Sequence, residues 1–194
     1  MRRRRLSRLL GYGFATVLAV LLIVGFVAVI AGGKRGDSVS PDVGGAFGTH
    51  YEGLGERESG ARVPTMMDTM GSSVHTHQGL VVYVDGRRIP VPAGIGIDPG
   101  QPSMEMAGLH THDPSGIIHD EGMPGGRLGQ FFAIWGVPFS SRRLGPDEAS
   151  GSKTVRMWVD GKPSKAFGRL RLKDGQRILV AFGTAAQVPA GLPG

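Results

Sequence analysis

Residues 80–91 read LVVYVDGRRIPV, residues 154–164 read TVRMWVDGKPS and residues 173–183 read KDGQRILVAFG. The first two stretches have an apolar run, then an Asp-Gly pair, then basic or Lys-Pro residues, and the third has Asp-Gly directly before an apolar run. Asp-Gly between apolar runs is a strong signal for a tight β-hairpin. The pattern therefore predicts a mainly β domain, with an antiparallel sheet or a sandwich-like arrangement of strands.

One segment departs from the strand pattern. Residues 127–138 read RLGQFFAIWGVP, and their large apolar side chains fall at i, i+3, i+4 and i+7: Leu128, Phe131, Phe132 and Trp135. This spacing is one face of a short helix. Gly136 stands where a helix-ending glycine is expected, and Pro138 follows two residues later. We therefore predict one short helix whose apolar face covers the sheet.

The N-terminal residues indicate a membrane anchor. Five arginines lie in the first eight residues, and residues 9–31 contain no charged side chain. A helix needs about 20 apolar residues to cross a bilayer, whereas a cleavable signal has an apolar core of about 7–15. Arginines on the N-terminal flank keep that flank in the cytoplasm. Residues 1–35 are thus predicted to be a cytoplasmic stub and an uncleaved transmembrane anchor, with cleavage after residues 29–31 as the alternative.

The basic charge is concentrated in this anchor region. Seven of the 22 Lys and Arg residues lie within residues 1–35, and the 15 that remain face 16 acidic residues, a net charge of −1. A nearly neutral domain has no field that attracts phosphate backbones, so we expect no nucleic-acid partner. The chain also has no cysteine. This absence excludes disulfides and thiolate ligands, including those of blue-copper sites.

The remaining chain divides by composition into three parts. Residues 36–72 are rich in Gly, Ser, Pro, Asp and Glu and have no lasting apolar period, so they are predicted to form a flexible extracytoplasmic tether. The β-rich domain is expected over residues 73–186, and a tail over residues 187–194. The size of the β-rich domain is within the usual range for a single hydrophobic core.

Five of the six histidines fall in three short patterns: His75-Thr76-His77, His110-Thr111-His112 and His119-Asp120-Glu121. Residues two apart on a strand point to the same face, so each pattern presents two candidate ligands side by side. Histidine is the commonest metal ligand in proteins. The three patterns therefore predict a site for a divalent ion, copper or zinc.

The turn after the second pattern sets which histidines meet. Residues 113–116, Asp-Pro-Ser-Gly, suit a type I turn, with Pro at i+1 and Gly at i+3. Such a turn puts His110 opposite His119 and His112 opposite Ile117, on one face of a hairpin. We predict that the three histidines bind one ion, that Glu121 lies just beyond, and that the first pattern completes or flanks the site. The predicted ligand set is His110, His112, His119, His75, His77 and Glu121.

Four blocks within about residues 75–183 resemble a family of bacterial membrane-anchored or secreted proteins of uncharacterised activity: HTHQGLVVYVDGRRIPVPAGIGI, LHTHDPSGIIHDE, LGQFFAIWGVPFS and VDGKP. The second block and the LGQFFAIWG part of the third are the specific ones. The resemblance implies the same pattern of histidines and acid over the predicted ligand set, and it implies no particular activity. Relatives often have an aromatic before the Leu-His pair, where this chain has Ala107-Gly108.

Together these features favour a membrane-anchored extracytoplasmic metal-binding protein that acts in metal capture, delivery or metalloprotein assembly. Methionines that suit Cu(I) favour copper over zinc: Met66, Met67, Met70, Met104 and Met106. The first three of them could instead form an apolar patch that docks on the domain. Two other functions stay open: a three-histidine metal enzyme, hydrolase or oxidoreductase, with Glu121 or Asp113 as general base, and a metal-free interaction domain.

Overall fold

The computed structural model describes residues 44–189 of the 194-residue chain. The predicted transmembrane segment at residues 9–31 and the last five residues of the predicted tail lie outside the described residues. Between residues 44 and 189, no helix is long and apolar enough to cross a membrane. This part of the chain is mainly β, with two short α-helices, α1 at Leu54–Ala61 and α2 at Leu128–Trp135.

The strands of the described region form one large sheet and one small ladder. The large sheet contains β1 His75–Val84, β2 Arg87–Ile89, β3 Leu109–His110, β4 Ile117–Glu121, β7 Thr154–Val159, β8 Lys162–Pro163 and β9 Arg177–Gly183. Its order is β3-β4-β1-β9-β7-β8, and β2 pairs with the end of β1. The small ladder contains β5 Arg143–Leu144 and β6 Asp147–Glu148. Single turns of 3-10 helix lie at Gly45–Phe47, Ser103–Glu105 and Phe167–Arg169.

Two predicted hairpins are confirmed. Asp85 and Gly86 join β1 to β2, and Asp160 and Gly161 join β7 to β8. The φ angles of these turn residues are 49° and 82° in the first hairpin and 50° and 78° in the second. Positive φ at both central positions is the requirement of a type I′ turn, which Asp-Gly meets at low cost.

The sheet is mixed, so the predicted antiparallel arrangement is only partly right. β1 and β9 run parallel, paired from Gly79 with Arg177 to Val84 with Phe182. The other ladders of the described sheet are antiparallel. Parallel pairing needs a long crossover connection, and here the chain between β1 and β9 includes α2. The unbroken apolar run at residues 178–182 is buried throughout, as is typical of a central strand covered on both faces.

The predicted helix is confirmed as α2. It ends at Gly136, whose φ of 77° is the left-handed conformation of a helix-ending glycine. The four side chains of the predicted apolar face are each at most 1% exposed. Trp135 also donates its indole N–H to the carbonyl oxygen of Gly48 at 2.8 Å. The helix contacts β3, and so lies beside the strands that carry the histidines.

The predicted flexible tether at residues 36–72 is wrong for the part that the structure describes. Helix α1 lies inside it and packs against α2. Leu54 and Val63 belong to the hydrophobic core. Val188, which was assigned to the tail, is also buried. Isolated apolar residues in a polar, Gly-rich segment give no period, so the sequence pattern does not reveal that they are anchored.

Candidate metal centre

Three neighbouring strands present histidines at paired positions. β4 lies between β3 and β1, and His119 of β4 is paired directly with His110 of β3 and with His77 of β1. Two pairs further along the ladder, and so on the same face, Glu121 is opposite His75. Directly opposed side chains have Cβ atoms about 4.5–5.5 Å apart. The sheet therefore brings four histidines and one carboxylate into a continuous patch.

The predicted pairing of His110 with His119 is observed, but the predicted position of His112 is wrong. β3 ends at His110, so His112 has left the strand. The described pairing of β3 with β4 contains no pair between His112 and Ile117, and Ile117 is paired only on its other side, with Gly79 of β1. The ring of His112 nevertheless returns to the histidine patch, and its centroid is 4.5 Å from that of His119.

Thr111 and the following turn fix the chain on both sides of His112. The Thr111 hydroxyl donates to the carbonyl oxygen of Pro92 at 2.7 Å and accepts the N–H of Ile95 at 3.1 Å. These bonds, with backbone bonds from Thr111 to Gly94 and Ile95, hold the chain against the segment before β3. Gly116 is left-handed, with φ 85°, and its carbonyl oxygen accepts the N–H of Leu80 at 2.8 Å. The turn therefore pairs with β1 as well as closing the hairpin.

Four side chains form what we call the inner group: His110, His112, His119 and Glu121. One candidate ligand atom from each lies within 4.8 Å of the others. The Nε2 atoms of His110 and His112 are 3.1 Å apart. The Oε1 atom of Glu121 is 3.7 Å from His110 Nε2 and 3.8 Å from His119 Nδ1. Zinc–ligand bonds of about 2.0–2.1 Å in a tetrahedron put the donor atoms roughly 3.3 Å apart, so the inner group has nearly the dimensions of such a site.

His110 is held in the tautomer that a metal ligand needs. Its ring is fully buried, and Nδ1 donates to the carbonyl oxygen of Ala107 at 2.8 Å. The proton on Nδ1 leaves the lone pair on Nε2, which faces His112. Burial lowers the pKa of His110 to about 4. The imidazole is therefore neutral at pH 7, as a ligand must be.

One ring nitrogen of His119 is buried and makes no hydrogen bond within the described residues. Its Nδ1 is buried without a hydrogen-bond partner in the described structure. Burial lowers the pKa of His119, and the neighbouring rings of His112 and His77 lower it further. Buried polar atoms in native proteins are normally satisfied by protein, water or an ion. An unpartnered nitrogen beside a carboxylate and two other imidazoles fits an ion-binding role.

A second set of three histidines, the outer group, consists of His75, His77 and His119. Their candidate ligand atoms also lie within 4.8 Å of one another, and His75 and His77 are exposed. The backbone of His77 is fixed from both sides, because its N–H donates to Asp174 Oδ1 at 2.9 Å and its carbonyl oxygen accepts the N–H of Gly175 at 2.8 Å. The third Asp-Gly pair thus supports the outer group instead of forming a hairpin turn.

Asp120 lies between the two candidate ligands of β4, and its side chain is on the opposite face of the strand. It is 1% exposed, and backbone N–H groups of Gly126 and Met123 bond to its carboxylate. Burial raises the pKa of Asp120 to about 6 despite those bonds. Asp120 therefore anchors the loop after β4 to the core, while His119 and Glu121 remain in the histidine patch.

Sequence reasoning missed the residues that support the histidines. The contact between the Ala107 carbonyl oxygen and His110 could not be predicted, because it depends on the backbone conformation. Thr111 had a signal, because a polar residue between two ligands on a strand must face the other side and find a partner there. The sequence indicated Asp174 only as a turn residue, because its contact with His77 joins residues that are far apart in sequence.

The methionines predicted as a soft metal site are only partly brought together. The N–H of Met66 donates to the carbonyl oxygen of Met106 at 2.9 Å, which joins their two segments. Met67 and Met70 are 49% and 72% exposed. These two side chains are therefore not docked on the domain, contrary to that interpretation. The side chain of Met104 lies outside the described part of the structure.

Four surface cavities of about 290 to 390 Å³ open elsewhere on the described part of the chain. None of these four is lined by a histidine of the inner or outer group. A substrate pocket is normally concave and encloses most of its ligand. The histidine patch thus lies apart from these four cavities.

The fold and the site define a mixed β-sheet domain with histidine groups that could hold a metal ion. Comparison with protein-family models, curated proteins and solved structures finds no match. The resemblance of residues 75–183 to a bacterial membrane-anchored or secreted family stays a prediction.

Proposed function

We propose that this chain is a membrane-anchored extracytoplasmic protein that binds one divalent metal ion for capture, delivery or metalloprotein assembly. One observation carries the proposal: three imidazoles and one carboxylate offer donor atoms within 4.8 Å of one another. The supporting contact from Ala107 fixes the most buried ligand before any ion arrives. The convergence of four donor atoms favours metal binding over a role in which the histidines merely fill a polar layer.

The donor set suits Cu(II) and Zn(II). Neutral imidazole is a good ligand for both ions, and a carboxylate can complete either site. The preference for copper rests on the methionines, because thioether ligands suit Cu(I). The backbone bond between Met66 and Met106 is compatible with a soft site that joins those two segments. Copper is therefore proposed as the cargo, with zinc as the chemically equivalent alternative.

Binding and transfer are better supported than catalysis. A catalytic zinc site keeps one position open for water, with three protein ligands, whereas four protein donors close a tetrahedral site. The inner group offers four donors. In addition, His112, His75 and His77 are exposed, as a site that passes its ion to another protein requires.

The location of the protein is proposed from the sequence alone. The five N-terminal arginines and the uncharged residues 9–31 support an anchor with the domain outside the cytoplasm. A protease added to intact cells that make the chain is expected to digest the domain and spare the N-terminus. Full protection of the domain would contradict this orientation.

Metal analysis tests the proposed function. The full-length chain, purified in detergent without a His tag, is loaded with Cu(II) or Zn(II) and then freed of loosely bound ion. We expect one ion per chain at neutral pH and loss of the ion in acid, since the imidazoles must be deprotonated to bind. Absence of bound metal after loading with either ion would refute the proposal.

A further inference from the structure

The inner and outer groups share His119. Its ring lies between the two sets, with centroids 4.5 Å from His112 and 5.4 Å from His110 on one side. On the other side, the centroids of His77 and His75 are 4.6 and 6.0 Å away. An ion bound to His119 can therefore be completed by ligands from either set.

The two groups differ in burial and in charge. His75 and His77 are exposed, whereas His110 is fully buried. The outer group has imidazoles only, and the inner group includes the carboxylate of Glu121. A carboxylate partly neutralises a dication, and their attraction is stronger away from bulk water. The inner position should therefore hold the ion more tightly, while the outer position is the more accessible.

Glu121 links the two positions. Its Oε1 atom is 3.3 Å from His75 Nε2 and 3.7 Å from His110 Nε2. The same carboxylate oxygen thus lies beside one ligand of each group. An ion that moves between the groups stays close to this negative charge and does not need to return to bulk solvent.

One ion, not two, fits this arrangement. A neutral imidazole has a single lone-pair nitrogen, so His119 can serve only one ion at a time. The two groups are therefore alternative positions for the same ion.

We propose that the ion is captured by the outer group and then moves to the inner group, while His119 holds it throughout. His75 and His77 are exchanged for His110, His112 and Glu121 in the transfer, and the reverse exchange delivers the ion to a partner. No electron transfer is required, because imidazole and carboxylate ligands change places and the oxidation state of the ion stays the same. This inference rests on the proposed metal-binding function and assigns its route of loading.

Two double variants of the full-length chain separate the positions, with Zn(II) as the probe. His112→Ala with Glu121→Gln removes two inner ligands and leaves the buried His110 in place, so the fold is preserved. His75→Ala with His77→Ala removes two exposed outer ligands. His50→Ala, which changes the one histidine outside both groups, is the matched control. Affinity is measured by competition with a chromophoric chelator, and loading by stopped flow.

The expected results differ between the variants. The inner variant should still bind one Zn(II) per chain, at the outer group, with affinity about 10 to 100 times weaker than that of the wild type. The outer variant should keep an affinity within about threefold of the wild type, while its loading slows by about tenfold. The control should match the wild type in both measurements.

Three results would overturn the inference while leaving the proposed function intact. The inner variant could bind no Zn(II), the outer variant could load as fast as the wild type, or the wild type could hold two ions at once. Failure of the wild type itself to bind Zn(II) or Cu(II) would instead remove the proposed function.

Discussion

The rings of His110 and His119 are stacked, with centroids 5.4 Å apart and planes 9° from parallel. The two residues are direct partners in the pairing of β3 with β4. Because the Ala107 carbonyl also fixes His110, the sheet sets the position of two ligands without help from an ion. The fold thus positions the two central ligands of the proposed site, His110 and His119, and the exposed histidines lie around them.

The first prediction concerns the helix that supports this sheet. Trp135→Ala should lower the free energy of unfolding by about 3–5 kcal/mol, because Trp135 is 1% exposed and its removal empties a large core site. Trp158→Ala, at a partly exposed position on β7, is the matched control and should cost less. Urea denaturation gives both values. A loss below about 1 kcal/mol for Trp135→Ala would mean that this face does not contribute to the core.

The second prediction concerns the turn that carries His112. A Cβ atom on Gly116 would lie 2.3 Å from the carbonyl oxygen of Leu80, in addition to the strain at a φ of +85°. Gly116→Ala should therefore displace the turn and weaken metal binding, with a stability loss of about 1–3 kcal/mol. Gly151→Ala isolates the conformational cost, because Gly151 also has positive φ but no atom within 4 Å of its Cβ position. Equal losses in the two variants, by urea denaturation, would argue against the close contact.

The third prediction concerns Glu58 on α1. Burial raises the pKa of Glu58 to about 7, and the Asp68 and Glu105 carboxylates add to the rise while Arg57 opposes it. The folded state therefore binds more protons than the unfolded state between about pH 4.5 and 7, and this contribution to stability is lost as the pH rises through 7.

A neutral side chain should remove this loss. We expect the free energy of unfolding of Glu58→Gln, relative to that of the wild type, to be about 1–3 kcal/mol higher at pH 8.5 than at pH 5. Urea denaturation without metal measures this difference at both pH values. Glu56→Gln, at an exposed position on the same helix, is the matched control. The same difference between variant and wild type at both pH values would show that Glu58 ionises freely in the folded protein.

Local chemistry explains which features were predictable from the sequence. Asp-Gly set the two hairpins, the i, i+3, i+4, i+7 spacing set α2, and the turn at residues 113–116 correctly paired His110 with His119. Each of these signals acts between residues that are close along the chain. Strand periodicity then put His119 and Glu121 on the same face of β4.

The features that could not be predicted depend on contacts between distant residues. The parallel pairing of β1 with β9 joins two apolar stretches, and neither contains a sequence signal for the direction in which the two strands pair. His112 lies beyond the end of β3, and the bonds of the neighbouring Thr111 to Pro92 and Ile95 are contacts that no hairpin pattern reveals. The involvement of both His75 and His77 followed from the pairing of β1 with β4, whereas the sequence indicated only a neighbouring strand.

The most direct measurement is the change in melting temperature of the full-length chain on addition of Cu(II) or Zn(II). The wild type should be stabilised by about 2.7 kcal/mol when free metal is a hundred times its dissociation constant. His112→Ala should keep the stability of the metal-free protein, because the side chain is exposed, but should lose most of the metal-dependent gain. His50→Ala should behave as the wild type. No shift in the wild type with either ion, or an equal shift in His112→Ala, would contradict the shared histidine site.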